Sequence, residues 1–147
     1  MKPDVPLVLE DHARRLVDRF APKLTGFDAN GAAMMAAMLT MVAEEWDRAA
    51  ARRVEENVAI RAIFHQALAH IDDEALTARL DELVNGRDED LHINVLETAN
   101  QALRAALGDL HAHIEGLDSP GVRGVEAAIW EELRQSVGRR RSNLANF

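Results

Sequence analysis

Six histidines, at positions 12, 65, 70, 92, 111 and 113, are the residues of this chain best suited to chemistry, because neutral imidazole ligates metals and titrates near neutral pH. Glu89 and His92 match the Glu-x-x-His half of a carboxylate-bridged di-iron site, which needs a second such pair and two more glutamates on other helices. The second pair is missing. His111 and Glu115 stand four apart and share a helix face, whereas His65 and His70 are five apart and do not. Glu89, His92, His111 and Glu115 are therefore weak metal candidates, and the expectation is a protein with no metal and no cofactor.

Nucleophilic chemistry has less to work with. There is no cysteine, which excludes thiol catalysis and Cys-ligated zinc. Ser119 reads as a helix cap, Ser136 and Ser142 lie near a basic tail, and no serine sits in a Gly-x-Ser-x-Gly elbow. No glycine-rich phosphate loop follows a strand. The adjacent acids Glu44-Glu45, Glu55-Glu56 and Glu131-Glu132 point about 100° apart on a helix, so neither pair member can share a proton with its neighbour. They read as solvated faces. The sequence predicts a non-enzymatic protein.

Charge narrows the partners. The net charge is −8 over 147 residues, which disfavours wrapping a nucleic-acid backbone. Arg134, Arg139, Arg140 and Arg141 form a basic tail with no acid after Arg134, and basic residues are favoured in the last turn of a helix by its dipole. The start lacks an apolar segment behind a basic one, and the run from Ala32 to Ala43 is shorter than the roughly 18 residues a membrane span needs. A cytoplasmic chain without a membrane span is expected.

These residues must be positioned by helices. Ala, Leu, Glu and Arg make up nearly half the chain, and all four are strong helix formers. No stretch alternates apolar and polar residues between turn signals, so the fold class is all-α: a bundle of five or six helices in one domain across residues 1–147, with residues 1–6 and 141–147 as candidate disordered termini. A first helix is expected from Val8 to Phe20, closed by Pro22 and Gly26, with Asp28 capping the next. From Ala32 through Asn85 there is neither Pro nor Gly. Asp72-Asp73-Glu74 marks a new helix start within that span, and residues 30–70 form either one bent helix or two, broken near Arg52 to Asn57. Asp88 is expected to cap a long helix to Glu115, and Ser119-Pro120 to open a last one to about Arg140. Trp46 and Trp130 read as packing anchors.

Two stretches carry most of the functional information. Met34, Met35, Met38 and Met41 crowd a helix that is apolar almost all round, from Asn30 to Trp46. Such a helix is central in a bundle, covered by a partner, or the wall of an adaptable apolar pocket. The other stretch repeats at spacings of three and four: Ile93, Leu96, Asn100, Leu103, Leu107, Leu110, Ile114 and Leu117. This is a heptad seam with one polar a-position residue, Asn100, a device that fixes register in self-pairing helices. Alanines at the flanking positions 99 and 106 broaden the stripe, so an intramolecular bundle core fits it equally.

The leading expectation is a helical protein that self-associates as a homodimer through the seam and the Met-rich helix, and acts by binding a further, unidentified protein. One alternative is an apolar small ligand held against Met34, Met38, Met41 and Trp46. The other is a His/carboxylate metal bundle built from the four weak candidates above.

Overall fold

The computed structural model describes residues 3–142, and among them it is all-α, with five α-helices and no strand. Of the candidate termini 1–6 and 141–147, residues 1–2 and 143–147 lie outside the described residues, and Val5 and Pro6 belong to the first helix. The chain divides into two units, one of residues 50–140 and one of the N-terminal residues to Ala49 together with Arg141 and beyond.

In the N-terminal unit, α1 spans Val5–Arg15 and starts earlier than the sequence suggests. Asp4 caps it, its carboxylate accepting from the Leu7 N–H at 3.3 Å, and Pro6 fits the first turn. The helix then widens into a π-helical turn over Leu16–Phe20 and tightens into a 3-10 turn at Ala21–Lys23. Gly26, at φ 57°, is the one residue with a left-handed backbone among those described. It turns the chain into α2 and forms its first residue, so Asp28 lies inside the first turn instead of capping it.

Helix α2 runs unbroken over Gly26–Ala67, so there is one helix and no break near Arg52 to Asn57, with a turn at residues 68–70. The charges at Arg52, Arg53, Glu55 and Glu56 interrupt its apolar pattern without ending it. No Gly or Pro is present there to stop the helix. What changes at that point is what the helix buries.

In the unit of residues 50–140, the second half of α2 packs with α3 (Glu74–Asn85), α4 (Ile93–Ile114) and α5 (Pro120–Arg140). Ile60, Ile63, Phe64 and Ala67 of α2 meet Leu80 of α3, Leu103, Ala106, Leu107, Leu110 and Ile114 of α4, and Val122, Val125 and Ile129 of α5. Asp73 caps α3 as expected, accepting from the Leu76 N–H at 2.8 Å. Ser119 caps α5 through Val122 at 3.3 Å, with Pro120 as the first helical residue. Gly121 lets the His70 ring lie against α5: a β-carbon there would come within 2.2 Å of the ring, which would have to shift.

The start of α4 differs from expectation. Helix geometry begins at Ile93, with His92 in the cap position and no side chain bonding the first turn. Asp88 is unavailable as a cap because its carboxylate takes a two-pronged bond from Arg61, at 2.7 and 3.0 Å, and a third from Asn57 at 3.0 Å. A charge-assisted bidentate pair is stronger than a helix cap.

Candidate interaction surface

The heptad seam is filled within the chain. Leu96, Asn100, Leu103, Leu107, Leu110 and Ile114 are all buried, and only the end positions Ile93 and Leu117 are exposed. Asn100 finds its amide partner on α2, donating to the Asn57 side-chain oxygen at 2.9 Å. The polar residue therefore sets register between two helices of one chain, and its stripe is broad because it serves a multi-helix core.

The exposed apolar surface lies elsewhere. On α2, Phe27, Met34, Met38 and Met41 recur at spacings of seven, four and three, Trp46 follows Val42 by four, and all face outward with Met35; Phe27 is 89% exposed and Trp46 is 62% exposed. Trp46 is therefore no packing anchor. From Ala29 to Ala43 the helix carries no charge. Its other side is built from Ala32, Ala36 and Ala43, which are buried, as is Ala13 of α1. Small residues let helix backbones approach closely, and that leaves the large side chains on the far face. A contiguous patch of this many half-exposed large apolar side chains reaches the several-hundred Å² scale that marks interaction sites.

Between α1 and α2 runs an apolar groove of about 510 Å³. Its walls are Ala13 and Val17 on one side and Ala33, Ala36, Ala37 and Thr40 on the other, with Glu10, Arg14 and Asp18 at its rim. The methionines do not line it. Met34, Met38 and Met41 are instead exposed on the outer face of α2.

The second feature, a buried charge cluster, was not anticipated from the sequence. Glu56 is 1% exposed and Glu132 is 5% exposed, so neither belongs to the solvated face expected of paired acids. Glu56 accepts from Ser136 at 2.9 Å, from Arg140 at 2.9 and 3.1 Å, and from Arg104. Glu132 accepts from Arg139. Two arginines of the basic tail are thus spent on carboxylates of the same chain. Burial pushes the Glu56 carboxyl up, but the Arg140 and Ser136 hydrogen bonds and the Arg140 and Arg104 charges together hold it below its ordinary value. Burial raises Glu132, Arg139 opposes the rise, and the nearby Glu56 charge adds to it, so its carboxyl stays above its ordinary value. Two carboxyls driven apart resemble an acid–base pair. Both are enclosed, however, and their partners are side chains already in place. Glu56 ties α2 to Arg104 of α4 and to Ser136 and Arg140 of α5, whereas Glu132 pairs with Arg139 within α5.

A signal for this cluster existed in the sequence. Glu56 lies one turn before Ile60, and Glu132 and Ser136 continue the spacing of Val125 and Ile129. Polar residues on the core stripe of three helices had to meet each other.

The weak metal candidates are scattered. Glu89 and His92 lie in the loop before α4, where His92 Nδ1 pairs with Asp90 at 2.5 Å. His111 meets the edge of Trp130, with ring centroids 5.3 Å apart at 88°. Trp130 is 55% exposed, because the buried stripe passes through Ile129 and leaves it to one side. Glu115 is the C-cap of α4. Among the described residues, no three His, Asp or Glu side chains converge as a metal site would need. No described helix is long and apolar enough to cross a membrane. Compared with protein-family models, with curated proteins and with solved structures, the chain matches none.

Proposed function

We propose that this chain is a self-associating helical interaction module that works as a homodimer in the cytoplasm, and that α2 joins its two copies through Phe27, Met34, Met38, Met41 and Trp46. One observation carries the reading: the N-terminal unit fully buries only alanines, half-buries Leu9, Leu16 and Leu39, and exposes Phe27, the four methionines and Trp46. A second copy presents the identical uncharged stripe, and an isologous pair of such stripes is self-complementary by symmetry. Methionine suits a surface that must repack against itself, being unbranched and polarizable. Binding of another protein by the assembled dimer follows from the same reading.

Sedimentation equilibrium of the wild type beside Met38→Lys tests it. A wild-type dimer at tens of micromolar and a folded monomeric variant are expected. A wild-type monomer at that concentration overturns the reading.

The groove favours one second reading, an apolar small ligand held between α1 and α2 instead of against the methionines. Its walls are Ala13, Val17, Ala33, Ala36 and Ala37, and its volume, about 510 Å³, is that of a typical small-molecule site. Native mass spectrometry of freshly purified protein should then show a bound apolar mass that Ala36→Phe abolishes. Bare protein from every source tested removes this alternative.

A further inference from the structure

Met34, Met35, Met38 and Met41 are the only methionines after Met1, there is no cysteine, and all four stand on the outer face of α2, each at least 49% exposed. We infer that this face is a modification site for hydroperoxides, and that oxidation of its methionines holds the protein as a monomer. The inference rests on the self-association proposed above.

The chemistry needs only the oxidant. A thioether lone pair attacks the distal oxygen of the hydroperoxide, and an S–O bond forms as the O–O bond breaks. The sulfur gives up two electrons and the peroxide takes them. The proton of the attacked oxygen passes to the departing one, which leaves as an alcohol, or as water from hydrogen peroxide. The product is methionine sulfoxide, which a sulfoxide reductase returns to the thioether at the expense of a thiol.

The sequence around these sulfurs decides the consequence. A sulfoxide oxygen is a polar acceptor, and burying it without a donor is unfavourable. From Ala29 to Ala43 the only side chains able to donate are Asn30 and Thr40, and the Thr40 hydroxyl is already given to the Ala36 carbonyl at 3.1 Å. In the monomer, water meets the sulfoxide at these exposed positions. Between two copies of the same donor-poor stripe, only Asn30 and the Trp46 indole of each copy remain to donate, fewer than the four sulfoxides each copy would carry. Each sulfoxide should therefore weaken the dimer by about tenfold or more, while the core of residues 50–140, which holds no methionine, stays intact. Reaction is fastest on dissociated protein, where the sulfurs are open, so oxidation draws the equilibrium toward monomer.

The test is sedimentation of the full chain before and after hydrogen peroxide, with peptide mass mapping of residues 26–46 and circular dichroism as a fold control. A dimer should become a folded monomer carrying sulfoxides at these positions, and methionine sulfoxide reductases with dithiothreitol should restore it. A chain with Met34, Met35, Met38 and Met41 all changed to Leu keeps the apolar volume. It should dimerise and ignore the peroxide. A wild-type dimer that persists with all four sulfoxides in place overturns the inference and leaves the self-association reading standing. So does a quadruple variant that dissociates in peroxide as the wild type does. A monomer before any peroxide overturns both.

Discussion

The unit of residues 50–140 buries Phe64, Ile60, Leu80, Leu96, Leu103, Leu110 and Ile129, while the N-terminal unit buries Ala13, Ala32, Ala36, Ala43 and Ala49 and turns Phe27, Met34, Met38 and Trp46 outward. Both are helical and both are rich in apolar residues. They differ in where the large side chains go, and that difference decides their stability. A buried Leu or Phe contributes about 1.5–3 kcal/mol, and a buried alanine methyl only about 0.8 kcal/mol. The first unit holds its own core. The second fully buries alanines alone, which is why we read its outer face as an interface.

Truncating each face in turn gives the largest expected contrast. Phe64→Ala should cost about 3–5 kcal/mol in urea unfolding, because Phe64 is fully buried among helices that cannot collapse around the gap. Met38→Ala should leave the unfolding of a dilute monomer unchanged within about 0.5 kcal/mol. An equal loss for both would abolish the distinction between the units.

The buried charge cluster sharpens the comparison further, since Glu44 of the N-terminal unit, with Arg48 and Ser142, is only part-buried. Glu56→Ala should cost about 1–3 kcal/mol by leaving Ser136, Arg104 and Arg140 without their shared acceptor. The two arginines retain access to water, which keeps the figure below that for a fully enclosed pair.

Acid titration should then separate the two carboxyls. Glu56 and Asp88 are held below their ordinary values of 4.5 and 3.8. Their stabilisation is complete above those values and disappears as pH falls through the lower values of the folded state. Glu132 has the opposite sign. Its folded value lies above 4.5, so it costs stability as pH rises from the unfolded value through the folded one. Glu132→Gln should consequently stabilise the protein at neutral pH relative to wild type, and the advantage should shrink as pH falls through the raised folded value and be gone below the ordinary 4.5. Unfolding midpoints across that range would show it; an advantage that grows in acid contradicts the assignment.

The smallest effects are at the caps. Asp73→Ala and Asp4→Ala each remove one cap bond, worth about 1 kcal/mol. Hydrogen exchange should quicken in α3 alone for the first and in α1 alone for the second.

The sequence was most legible where one residue type has one local use. Asp73 and Ser119-Pro120 marked helix starts, and the three-and-four spacing from Ile93 identified the longest core stripe of α4. Its occupant was not legible, because a stripe of that breadth fits a partner chain and a neighbouring helix alike. Asn100 illustrates the limit: its partner, Asn57, is 43 residues away. Asp88 was misassigned for the same reason, since Arg61 competes for its carboxylate from another helix. The glutamates of the charge cluster looked solvated when read in adjacent pairs, and their burial followed from the helix period instead. On α2 the hydrophobicity was plain, but its division into a buried alanine side and an exposed methionine side depends on how closely a neighbouring backbone approaches.

Native-state hydrogen exchange of residues 26–49, followed at two protein concentrations spanning the dimer equilibrium, probes the missing core most directly. Protection there should rise with concentration while that of Leu103 to Ile114 stays constant, because only the first requires a second copy. Protection of residues 26–49 that is high and independent of concentration would show that the N-terminal unit is complete in one chain.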